Sequence, residues 1–115
     1  MNSNVNPNKV LLALKKAVEA TFDSSDWDEL GLDTDCDNII KEDSRLLRSL
    51  FWGDQDYGDR VLVVIKKILE KNPNNIGIIE EYVSLEEWLK NNEPRLHKEL
   101  YEIDSSAIDD AEKIE

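Results

Sequence analysis

A compact all-α bundle of six to eight short helices is the architecture this chain calls for. Apolar residues recur three and four apart from Val10 to Tyr101, and no segment shows convincing alternation at the period of two that a half-buried strand needs. Caps and breakers at Asn6–Pro7, Ser24–Ser25, Gly31, Gly53, Asn72–Pro73 and Glu93–Pro94 cut that periodicity into short pieces. At 115 residues with 40% apolar content, the chain has room for one modest core and not for two. The expected division is an arm over 1–7, one helical domain over 8–103, and an acidic tail over 104–115 whose composition predicts disorder.

The first helix starts where Asn6 caps and Pro7 takes the first helical position, and Val10, Leu11, Leu14, Ala17 and Val18 carry it to about Phe22. Ser24–Ser25 read as the cap of a short helix bearing Trp27 and Leu30, with Gly31 as its stop. An acidic loop over 33–37 and a brief apolar turn at Ile39–Ile40 come next. Asp43 or Ser44 then caps RLLRSLFW, which ends at Gly53. In RVLVVIKKILEK, the run VLVVI alone could be a buried strand. The row Val61, Val64, Ile65, Ile68, Leu69 outlasts a strand and predicts a central helix, covered on most sides. Asn72–Pro73 closes it. Ile76, Ile79 and Val83 mark the next helix, and Ser84 with Glu87 forms a capping-box pattern before Leu85, Trp88 and Leu89. That segment reads either as a fresh helix or as a bend in a continuous one. Glu93–Pro94 opens the last helix, with Leu96, Leu100 and Tyr101.

Charge narrows the function classes. Asp and Glu number 26 against 14 Lys and Arg, a net charge of −12. That balance repels phosphate backbones and anionic lipid surfaces, so neither nucleic acid nor a membrane is an expected partner. No apolar run is long enough to span a bilayer, and MNSNVNPN lacks the features of a signal peptide, so a soluble cytoplasmic protein is expected. The charges are also segregated. Residues 23–37 hold Asp23, Asp26, Asp28, Glu29, Asp33, Asp35 and Asp37 with no base, whereas bases gather at Lys15–Lys16, Arg45–Arg48 and Lys66–Lys67. Separated patches of opposite sign suit pairing with like molecules, although composition alone favours an ordinary solvated surface.

The stretch DTDCDNIIKEDS, residues 33–44, resembles the opening of an EF-hand loop. Asp33, Asp35 and Asp37 occupy the first, third and fifth positions, and Ile40 stands where an apolar residue is usual. Ser44 stands where the bidentate glutamate belongs, and Lys41 adds a positive charge, so helix capping accounts for these acids better than calcium does. No cofactor is expected. Catalytic signatures are missing as well: there is no glycine-rich phosphate loop, HExxH or GxSxG, and His97 and Cys36 are each the sole residue of their type. The chain reads as a non-enzyme.

The densest unusual block is RLLRSLFWGDQDYGDR, residues 45–60. Leu46, Leu47 and Leu50 give its helix an apolar face, and Arg45 and Arg48 share a neighbouring edge. Trp52, Asp54, Asp56 and Tyr57 follow around an acidic turn. Either the two aromatics pack inward while the arginines pair with nearby acids, or the block is a presented surface of residue types that dominate binding hot spots.

The order LLALKKAVEATF, SSDWDEL, RLLRSLFWGDQDYGD, a long helix ending EKNPNN, and YVSLEEWLKNN-EPRLHKELY resembles the helical effector-associated domains of bacterial conflict systems, within the death-like (death-domain and CARD-like) group. The likeness spans residues 8 to 102 and rests on the helix pattern, the Asn72-Pro73-Asn74-Asn75 turn and the WL-containing ends. Such folds usually have six helices, and residues 84–103 add to that number. The resemblance implies an adaptor that binds like domains, as a homo-oligomer or fused to effectors, and so brings effectors together. Arg45 and Arg48 meeting the Asp23–Asp37 acidic face of another copy, with Asp26, Asp28 and Glu29 among its residues, is the contact expected. A calcium-responsive module, or an acidic mimic occupying a basic partner, are the alternatives.

Overall fold

The computed structural model describes residues 6–102, which form eight α-helices and a terminal π-helical turn. They are α1 (Pro7–Thr21), α2 (Ser24–Asp33), α3 (Asp37–Glu42), α4 (Leu46–Trp52), α5 (Tyr57–Lys71), α6 (Asn75–Val83), α7 (Leu85–Asn92), α8 (Pro94–His97) and the turn Lys98–Glu102. No strand occurs among the described residues. The tail over 104–115, expected to be disordered, lies outside them, as does most of the expected N-terminal arm. Pro7, assigned to that arm, is the first residue of α1, and Asn6 caps it by accepting from the Asn8 N–H at 2.9 Å.

The central helix is α5. Val61, Val64, Ile65 and Ile68 are fully buried, and α1 packs along them through Ala13, Leu14, Ala17 and Val18. VLVVI is therefore helical, because the apolar row continues one full turn beyond it and every buried position falls on the 3.6-residue period. Around this pair α6 and α7 close one side, while α2 and α3 close another.

Trp27 on α2 is wholly buried. Its ring packs edge-on against Phe22 with centroids 5.1 Å apart, and its indole N–H donates to the Tyr57 hydroxyl at 3.0 Å. That bond joins α2 to the first residue of α5 across 30 residues of sequence. Burial raises the pKa of the Tyr57 phenol, which keeps it neutral and able to accept.

The Asn-Pro-x-Asn turn has a direct physical role. Asn72 Oδ1 accepts from the Asn74 N–H at 3.0 Å, and buried Asn75 donates its amide to the Ile68 carbonyl at 3.2 Å. One side chain shapes the turn, and the other adds a second bond to the Ile68 carbonyl, which also accepts from the Asn72 N–H at 3.3 Å.

Four local readings differ from the structure. Asp23, not Ser24 or Ser25, caps α2: Asp23 accepts from the Asp26 N–H at 3.0 Å, and Asp26 accepts from the Asp23 N–H at 2.9 Å. Gly31 does not stop that helix but lies inside it. A Cβ there would stand 3.1 Å from both the Asp37 Cα and the Ile40 Cδ1, so the glycine is a close approach between α2 and α3. Ile39–Ile40 belong to a helix and not to a turn, the six-residue α3. The Ser84 side chain makes no capping bond, because the residue adopts φ 49° to end α6 and reverse into α7, which are two helices.

Tyr57→Phe should lower stability by about 1–2 kcal/mol, since it strands the buried Trp27 N–H. Gly31→Ala should cost about 1–3 kcal/mol by overpacking the α2–α3 contact. Both should appear in urea unfolding as a lower midpoint with an unchanged slope.

Candidate interaction surface

Helix α4 is held by two carboxylates. Asp43 caps it, one oxygen accepting from the backbone N–H groups of Arg45 and Leu46 at 3.1 Å each. Its other oxygen accepts from Arg60 of α5 at 3.1 Å (Nε) and 2.6 Å (Nη2), and the Asp43 side chain is only 5% exposed. At the far end, Asp56 accepts from the buried Ser49 hydroxyl at 2.7 Å and from the Arg45 guanidinium. The Ser49 bond, assisted by Arg45, holds the Asp56 carboxyl below the ordinary carboxylate range. Gly53, at φ 68°, ends the helix, and the Asp54 N–H donates to the Ser49 carbonyl at 2.9 Å in a Schellman-type stop.

This clamp decides what α4 shows to solvent. Leu46 and Ser49 face inward, and Leu47 and Leu50 are half-buried. Phe51 and Trp52 stand out, 78% and 68% exposed, with their rings edge-to-face at 5.1 Å. Arg48 is exposed on the same helix and makes no ion pair among the described residues. An exposed apolar pair beside a free guanidinium combines the side chains that most often anchor protein contacts.

The other sequence candidates divide. Arg45 is exposed but turned to Asp56, so it is part of the clamp. Asp54 is exposed, and Asp56 is half-buried within the clamp. Tyr57 is not on this surface: it is in the core, because the Trp27 indole requires it there. On α2, Asp28 and Glu29 are exposed, while Asp26 is engaged in the capping box. Phe51 was missed by the sequence reading, although its phase was available: it falls off the 46, 47, 50 stripe that the core requires.

The three loop acids each answer a different partner. Asp33 accepts from the Tyr82 hydroxyl at 3.1 Å, Asp35 lies beside Lys71, and Asp37 pairs with Lys41 at 3.4 Å. Asp37 is already the first residue of α3, and Asp35 occupies the left-handed region at φ 58°. No group of three or more metal-ligating side chains gathers among the described residues. Cys36 is buried against Thr34 and Asn75. His97 is buried against Tyr101, with its Nε2 3.6 Å from Glu86. The two therefore have different neighbours.

A second feature escaped the sequence reading. A cleft of about 890 Å3 between α6, α7 and the terminal turn is lined by Glu80, Glu81, Glu86 and Glu87, with Lys90 and Tyr101. Burial raises the Glu80 pKa, and burial with the nearby glutamates pushes Tyr101 up to about 12.

The family model described as AbiJ N-terminal domain 5 matches residues 3–97. No curated protein and no solved structure matches the chain.

Asp56 has a folded pKa below its ordinary 3.8. Its contribution to stability is thus complete above that value and is lost as pH falls through the lower, folded value. Asp56→Asn should remove this part of the acid sensitivity, so the stability gap between variant and native chain narrows from pH 5 to pH 2. Thermal unfolding at stepped pH checks it.

Proposed function

The chain belongs to the AbiJ N-terminal domain 5 family, and from that membership and its surface we propose that it is a non-catalytic adaptor in bacterial abortive-infection defence. The family is one associated with abortive infection, which sets the bacterial defence context. The adaptor role goes further. It is supported above all by the exposed Phe51–Trp52 pair beside Arg48, which has no ion pair among the described residues, on a helix clamped at both ends. A rigid presented face loses little conformational freedom on docking, so its aromatic area is available to the contact.

The partner in this reading is a like domain, and the acidic α2 face of Asp28 and Glu29 is where Arg48 docks. Because the two surfaces are different patches, the contact is heterologous and extends into a chain of copies unless the rotation closes. Assembly raises the local concentration of whatever effector is attached to each copy. The resemblance to death-like adaptors points the same way, and the eight helices exceed the six usual in that group.

Sedimentation velocity across protein concentration, at low and moderate salt, tests this. The native chain should self-associate more strongly at low salt. Trp52→Ala and Arg48→Glu should each weaken association by about 30-fold or more, the roughly 2 kcal/mol of a hot-spot residue, with melting temperatures unchanged. A native chain that stays monomeric throughout, or variants that associate as it does, would rule out homotypic assembly through α4.

A further inference from the structure

Among the described residues, three large apolar side chains stand mostly in solvent: Phe51 and Trp52 on α4, and Leu32 on α2 at 74% exposure. Leu32 is outside because Trp27, Leu30 and Gly31 take the buried phase of its helix. At these exposures the leucine and the aromatic pair do not cover one another within a single chain.

The neighbours of Leu32 are acidic. Asp28 and Glu29 are exposed on the same helix, and neither has an ion pair among the described residues. At 3.6 residues per turn, Leu32 lies one turn on from both acids and, in angle, between them. Helix α4 carries the inverse arrangement. Arg48 comes first, and Phe51 and Trp52 follow one turn on, with the arginine between them in angle. One helix therefore sets an aliphatic group above two carboxylates. The other sets two rings above one guanidinium.

Laid side by side in the same direction, the two triads interlock at both levels. Arg48 falls between Asp28 and Glu29. Roughly 6 Å further along, at 1.5 Å per residue, Leu32 falls between Phe51 and Trp52. Laid in opposite directions, the same helices would set Arg48 on Leu32 and the rings on the carboxylates. Charges would then lose water without gaining a partner, which is costly. Charge thus selects the direction, and the apolar level excludes water from the ion pairs and strengthens them.

We infer that, in the assembly proposed above, α4 of one copy lies on α2 of the next with both helices running the same way, and that Leu32 is the seat of the Phe51–Trp52 pair. This rests on the homotypic reading and adds to it a receiving residue and a direction. Every copy carries both triads, so the contact repeats from one copy to the next.

Sedimentation velocity of exchanged chains tests it. Leu32→Ala should weaken association about tenfold, as loss of an apolar contact at the centre of an interface does. Its melting temperature should stay that of the native chain, because the side chain lies outside the core. A second pair of variants tests the direction: one chain carries Arg48→Glu, the other Asp28→Lys with Glu29→Lys. Each alone should sediment as a monomer, and an equimolar mixture should associate as the native chain does, since each altered surface then meets its opposite. Suppose the native chain associates and Trp52→Ala weakens it. Association untouched by Leu32→Ala, or a mixture that stays monomeric, then overturns this inference and leaves α4 its role. A native chain that is monomeric at every concentration, or indifferent to Trp52→Ala, overturns both.

Discussion

The buried indole of Trp27 is the constraint from which much else follows. A large aromatic at zero exposure contributes heavily to the core, but its N–H cannot be left without an acceptor in an apolar interior. Tyr57 supplies that acceptor at 3.0 Å, and it does so from the first turn of the central helix. The bond fixes where α5 begins relative to α2. The preceding residue, Asp56, is then placed to receive Ser49 and Arg45, which sets the angle of α4.

The polar contacts at α4 are therefore extensions of the core and not surface decoration. Exposed ion pairs contribute little to stability, and the Arg45–Asp56 pair is not expected to differ. Asp43 differs in kind: it is nearly buried, caps a helix and accepts two bonds from Arg60 with the same carboxyl group. That combination leaves α4 with one orientation. Phe51 and Trp52 then stand outward because the inward phase is occupied by Leu46 and Ser49, the latter needed by Asp56.

Glycine and serine illustrate how one residue type can act by opposite means. Gly53 serves through its left-handed φ of 68°, and nothing crowds it. Gly31 serves through the absence of a side chain, letting α3 approach α2. Ser84 stands in the left-handed region at φ 49° and divides α6 from α7, its backbone N–H closing the end of α6 while its side chain caps neither helix. The hinge between those two helices leaves room for the glutamate-lined cleft.

By itself the sequence determined the helical class, the central helix and most of the helix boundaries. These depend on periodicity and on residues such as Asn6, Pro7, Gly53 and Pro73, whose effects are local. The charge balance and the segregated acids were equally legible. Only the tertiary structure decided which aromatic of the 45–60 block is buried. Trp52 and Tyr57 carry similar propensities, and the choice between them rests on a hydrogen bond to Trp27, 30 residues away. Likewise only the assembled fold committed Arg45 to Asp56 while leaving Arg48 without an ion pair among the described residues, and sent Asp33, Asp35 and Asp37 to different partners. Spacing along the chain says which groups share a turn. It does not say which distant carboxylate or ring will be across from them when the helices pack.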